Sequence, residues 1–189
     1  MIIQALDLPG KSFGLLHALR PDLRRIGISL QPGNSLSEQW LKGWQKAAAS
    51  QGATMVPLPF VRTLPEIEPM LALAKREEVQ ALVGAGPVPI LLGTGFDRIT
   101  AWAIQNKVLT ITTTTLLSAQ HLVSFGPSRW ELRRIAAGQI DRILRGAKPG
   151  DIPIEQPTRF ELIINKALAK AMGLTIPQSV LVQATEVIE

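Results

Sequence analysis

GAKPGDIPIEQPTRFELIINKALAKAMGLTIP, residues 146–177, decides how the rest of the chain is read. Ile152 and Ile154, then Phe160, Leu162, Ile163 and Ile164, form two short β-type runs separated by Gln156-Pro157-Thr158. Pro157 fixes its own φ and pushes Gln156 into an extended conformation, so a turn is expected there. Helical spacing takes over at Ala167, Ala171 and Met172, and Gly173 supplies a C-terminal stop. The order helix, strand, turn, strand, helix suits a segment that passes between two bodies rather than one that sits inside a single body.

Immediately upstream lies the most regular helix in the chain. Ser128-Arg129-Trp130-Glu131 has the form of a capping box. Behind it Leu132, Ile135, Ala136, Ile140, Ile143, Leu144 and Ala147 fall on one helical stripe, interrupted only by Gln139.

Further upstream, strands and capped helices alternate from Arg24 onward. Strands are expected at Arg24–Leu30, Met55–Val61, Ala81–Ala85, Val108–Thr113 and His121–Phe125. Helices are expected over Lys11–Leu19, after the boxes Ser35-x-x-Glu38 and Thr63-x-x-Glu66, and after Thr94. Pro69 should kink or delay the helix it sits in, and Pro57 and Pro59 push their strand toward a sheet edge. Such alternation predicts α/β architecture: βαβ units with right-handed crossovers and a parallel sheet with helices on both faces.

In open sheets of this kind small molecules bind outside the carboxyl ends of the strands. Those ends are 31–35, 85–89, 112–115 and 125–128, and they offer hydroxyls, an amide and helix N-terminal N–H groups. The candidate ligand-binding residues are therefore Asn34, Ser35, Gly86, Thr113 and Thr114. The threonine run also reads simply as β propensity followed by a cap. Trp40, Trp44, Trp102 and Trp130 all fall at core-compatible helix positions. Trp40 and Trp44, just after Ser35, are the pair that could instead face a ligand.

Composition narrows the classes. The chain has 189 residues, 46% hydrophobic and 19% charged, which suits a folded globule rather than a disordered tail. No apolar run reaches the roughly 18 residues a membrane span requires. Cysteine is absent, which removes disulfides, thiolate nucleophiles and thiolate metal sites. The net charge of +5 is dispersed over Arg24-Arg25, Lys75-Arg76, Arg133-Arg134, Arg142 and Arg145 without interleaved aromatics, so no nucleic-acid partner is expected. His17 and His121 are the only histidines, and neither a P-loop nor a paired-histidine spacing occurs. Gly93-Thr94-Gly95 reads as a plain turn. No catalysis, metal or cofactor is expected.

The C-terminal residues also carry a family likeness. Asp141-Arg142-Ile143-Leu144-Arg145-Gly146-Ala147-Lys148-Pro149, Pro153 to Asn165, Ala169-Lys170-Ala171, Gly173 to Pro177 and Glu186-Val187-Ile188-Glu189 together resemble the C-terminal signature of the ABC-transporter substrate-binding family that includes aromatic amino-acid binders. The resemblance implies one lobe of a type I periplasmic-binding-protein fold: residues 1–124 as the α/β second lobe, and 125–189 as the hinge-returning helix, strands and C-terminal helix. It implies a small-molecule ligand such as an amino acid, an ABC permease as partner and a periplasmic location. The opening MIIQALDLPGKSFG, with Asp7 and no basic n-region, does not read as a signal peptide, so a chain made as it stands is expected in the cytoplasm. Phe125 stands where the family often has tyrosine. In such proteins the last hinge crossing packs on the first lobe, so the stripe Leu132, Ile135, Ile140 and Ile143 is expected to meet a separate first lobe or a second copy of this chain. A stand-alone sensory or dimeric domain, and an α/β enzyme using Ser35 or Thr114, are the alternatives.

Overall fold

The computed structural model describes residues 8–84 and 94–189. Seven strands form one sheet: β1 (Arg25–Ser29), β2 (Thr54–Leu58), β3 (Ala81–Gly84), β4 (Leu109–Thr112), β5 (Val123–Pro127), β6 (Phe160–Asn165) and β7 (Glu186–Ile188), in the order β2-β1-β3-β4-β5-β6-β7. From β2 through β5 every pairing is parallel, as the alternation predicts. β6 then runs antiparallel to β5, with Pro127 opposite Phe160 and Val123 opposite Ile164, and β7 runs parallel to β6. The expected boundary between residues 124 and 125 falls inside β5.

The helices are α1 (Leu8–Leu19), α2 (Ser35–Ala49), α3 (Ile67–Arg76), α4 (Thr94–Asn106), α5 (Arg129–Leu144), α6 (Lys166–Met172) and the short α7 (Gln178–Leu181). β3, an apolar run, and β4, which alternates leucine and isoleucine with threonine, are buried because both faces of the sheet are covered. Phe13 and Leu16 of α1, Trp44 and Ala48 of α2, and Ile67, Leu71 and Ala74 of α3 close on Ile26, Ile28, Leu109, Ile111 and Ile164 in one core. Fully burying a side chain of this size contributes roughly 1.5–3 kcal/mol. The edge position expected of the proline-bearing strand is realised, since β2 is terminal and Pro57 points to solvent.

Two local expectations are corrected and a third is met. Ile152 and Ile154 do not form a strand: 149–151 make a 3-10 turn, and 152–159 carry no regular secondary structure. Pro153 and Pro157 remove two ladder donors there, and of the two expected runs only β6 forms. The strand expected at His121–Phe125 starts two residues later, because His121 is buried edge-on against the Phe96 ring, 5.4 Å between centroids. The helix opened at the Thr63 box runs first as a 3-10 turn over Leu64–Glu66 and becomes α-helical only at Ile67, in line with a delayed start. Pro69 then falls in the first turn of α3, where its missing N–H has no intrahelical partner to lose.

The C-terminal stretch ends as its residues require. Asn165 caps α6, its Oδ1 accepting from the Leu168 N–H at 3.0 Å, while its amide donates to the Ala119 carbonyl at 3.2 Å. Gly173 terminates α6 in the left-handed conformation, φ 70°, which a side chain would strain.

Candidate functional site

Parallel β1, β3, β4 and β5 deliver Ser29, Gly84, Thr112 and Pro127 to the same edge of the sheet, and the antiparallel β6 brings its first residue, Phe160, to that edge as well. This edge is the candidate site. Ser29 Oγ donates to the Pro59 carbonyl at 2.9 Å and holds the loop after β1 against the loop after β2.

Asn34 and Ser35 are exposed at the start of α2. The expected box is displaced by one residue: Asn34, not Ser35, supplies the cap, its Oδ1 accepting from the Ser37 N–H at 3.4 Å and its carbonyl from the Glu38 N–H at 3.1 Å. Thr113 and Thr114 are half-buried beyond β4, two strands away from β1. The threonines before them are structural. Thr110 Oγ1 accepts from the Leu122 N–H at 2.8 Å, and Thr112 Oγ1 accepts from the Thr114 N–H at 3.3 Å. Gly86 lies outside the described residues.

What sequence reasoning missed is how closely the end of β5 approaches the threonine loop. A Cβ on Gly126 would lie 2.4 Å from the Thr113 carbonyl oxygen. The backbone of β5 thus props Thr113 and Thr114 at the edge. A glycine just past a predicted strand interior was the available signal.

The second missed residue is Glu131, in the first turn of α5. Ser128 caps that helix, its Oγ accepting from the Glu131 N–H at 3.5 Å. The Glu131 carboxylate does not turn back to the cap as a capping box would have it. It accepts instead from the Thr158 N–H at 2.9 Å, the Thr158 hydroxyl at 2.8 Å and the Arg159 N–H at 2.7 Å. The Arg159 N–H holds its pKa below the ordinary value, helped by both Thr158 donors and the positive charge of Arg134, against partial desolvation. At Thr63-x-x-Glu66 the box does form, with Glu66 accepting from the Arg62 N–H at 2.6 Å and the Thr63 N–H at 3.3 Å.

The α5 stripe divides along its length. Ile135 is buried and Leu132 half-buried, so these two already have neighbours within the chain, contrary to the expectation of a stripe wholly without them. Ile140, Ile143 and Leu144 are 56%, 41% and 82% exposed and carry the open part of the face. Trp130, expected in the core, is 77% exposed, whereas Trp44 is fully buried. Beside the base of α5 a shallow cleft of about 310 Å³ runs between Arg129, Trp130 and Arg133 on one side and Glu161 and Glu186 on the other. Among the described residues no cluster of histidine and acidic side chains could hold a metal ion. Among them, too, no helix is long and apolar enough to cross a membrane.

A search of curated protein sequences finds no match. Solved structures do match. A conserved domain protein from Vibrio cholerae O1 biovar El Tor is 20% identical with a TM-score of 0.81, over 95% of this chain and 60% of that one. The ABC domain from Streptococcus pneumonia in complex with L-Trp is 25% identical with a TM-score of 0.80, over the same 95% and 60%. The ligand-free, open substrate-binding protein CD0873 from Clostridium difficile is 18% identical with a TM-score of 0.68, over 94% and 59%. The chain therefore spans about 60% of the length of these relatives. Their shared architecture is the type I periplasmic-binding-protein fold. The sequence model of the family described as ABC transporter substrate binding protein matches residues 8–188. The chain belongs to the ABC transporter substrate-binding protein family.

Proposed function

We propose that this chain is the second lobe, with its hinge-returning segment, of a clamshell that binds a small solute for an ABC importer. The solute, an amino acid in our reading, would be held between the strand ends and a complementary lobe that closes over them. The observation that carries this reading is the shared edge: four parallel strands end at Ser29, Gly84, Thr112 and Pro127. Among the described residues that edge offers Asn34, Ser35, Thr113 and Thr114, small polar groups suited to a small solute. The L-Trp complex of the Streptococcus relative supports an amino acid as ligand. The relatives' greater length supports a complementary lobe, on this polypeptide or another. A periplasmic site of action and an ABC permease as partner belong to the same proposal.

A thermal-shift screen of amino acids and nucleosides, with this chain alone and with a first lobe added, tests it. A ligand present at a hundred times its dissociation constant stabilises by about 2.7 kcal/mol. No shift from any compound in either format sinks the reading.

The open face of α5 at Ile140, Ile143 and Leu144 supports a second reading, a dimer of this chain acting as a ligand sensor outside transport. Light scattering coupled to size exclusion separates the two. A stable dimer of the chain alone favours the sensor, and a monomer that pairs only with a first lobe favours transport.

A further inference from the structure

We infer that the cleft beside the base of α5 is a second binding site, and that its ligand is a small zwitterion whose carboxylate and ammonium are parted by a short chain. The site stands apart from the strand-end reading, because the cleft lies against β6 and β7. Asn34 and Ser35 follow β1, which β3, β4 and β5 separate from those strands. One wall of the cleft comes from α5. Arg129 and Arg133 are about one helical turn apart there, so both belong to the same face of the helix. The opposite wall comes from the sheet. Glu161 and Ile163 alternate onto one face of β6, and Ile163 is the register partner of Glu186 on β7, so the two glutamates share that face. The space between the walls is about 310 Å³, at the small end of the range for small-molecule sites.

Opposite charges thus line the two sides of one cleft, yet no ion pair closes it. Among the described residues none of these four side chains takes part in an ion pair or a side-chain hydrogen bond. Further along the same helix Arg142 pairs with Glu155 at 3.3 Å and Arg145 with Asp141 at 2.9 Å, so unpaired arginines are not the rule on α5. The walls are fixed where they stand. At the foot of α5 the Ser128 N–H donates to the Arg159 carbonyl at 2.8 Å, and on the other side the ladder holds β7 to β6. An anion alone would be repelled by the glutamates and a cation alone by the arginines. A molecule that carries both charges satisfies both walls, with its carboxylate in the arginine forks. Two further residues suit such a ligand. Thr115 lines the cleft at 8% exposure, and its Oγ1 has no hydrogen-bond partner among the described residues, a state that a polar group of the ligand would relieve. Trp130 also lines it, and its side chain, left 77% exposed by the fold, offers an apolar surface to the methylenes between the charges.

The test is a titration of the full chain, followed by calorimetry and by amide proton–nitrogen spectra. The probes are glycine, β-alanine, γ-aminobutyrate and ε-aminocaproate, with butyrate and n-butylamine as controls that carry one charge each. At least one zwitterion should bind saturably and about tenfold more tightly than either control, and it should move the amides of Thr115, Arg133, Glu161 and Glu186. Arg133→Gln and Glu186→Gln change exposed side chains and should leave the spectra of the free protein dispersed as before. Each should weaken binding about tenfold, the scale of one hydrogen bond to a charged group. Failure of all four zwitterions to saturate overturns the inference. So does a control that binds as well as the best zwitterion, or affinity undiminished in either variant. Shifts confined to Asn34 and Ser35 would put the probe at the strand ends, which overturns the cleft site and leaves the strand-end reading standing.

Discussion

At the scale of single residues, a Cβ added at Gly126 would meet the Thr113 carbonyl oxygen at 2.4 Å. The atom a new methyl would strike is backbone, not the far end of a flexible side chain, so Gly126→Ala must move one strand end or the other. Overpacking of this kind costs about 1–3 kcal/mol. Urea unfolding should show that loss, and amide chemical shifts should place the displacement at Thr113 and Thr114. Acid should act through Glu66 and Glu131. The Arg62 N–H is the main cause holding Glu66 low, and the Arg159 N–H the main cause for Glu131. A carboxylate held below its unfolded pKa stabilises the fold fully above that unfolded value, and the contribution vanishes as pH falls through the folded one. The urea midpoint should therefore drop below about pH 4.3, the ordinary glutamate value, and E131Q should show a shallower drop. A midpoint independent of pH between 5 and 2 would contradict both assignments. Sequence reading found the box at Thr63 and Glu66 but misplaced the cap of α2. Ser35 and Asn34 have similar cap preferences, and only the chain's path into the helix chooses between them.

At the scale of elements, α5 carries two different surfaces on one stripe. Its first turns are sealed by Ile135, whereas Ile140 and Leu144 face solvent. Replacing both, Ile140→Ser with Leu144→Ser, should change the stability of the chain by no more than about 0.5 kcal/mol per site, as for other exposed positions. The same pair should abolish association with a first lobe or a second copy in size exclusion with light scattering. Undiminished association would show that the stripe is not the contact. The helical period of α5 was plain in the sequence, but period alone says only that a face is apolar, not what covers it. The Ile152 and Ile154 run failed as a strand for a related reason. Alternation signals a half-buried ladder only where a neighbour exists to pair, and that stretch pairs with none.

At the scale of the whole molecule, the parallel part of the sheet followed from strands and capped helices taking turns. Its antiparallel end did not. A strand buried on both faces reads as the same apolar run whichever way it points, so FELIIN gave no direction for β6. The family likeness supplied the two-lobed context, and the shared strand edge is where we propose that a solute would sit. The reversal at β6 also has a consequence for how such proteins diversify. Departure and return lie side by side, so everything from Ser128 to Arg159 is, topologically, the loop of one oversized hairpin. No rung of the ladder depends on what that loop contains. Recombination could graft a different outrigger onto the same barrel-less platform and re-address it to a new companion, while strand order and the rim of strand ends pass unchanged to the descendant.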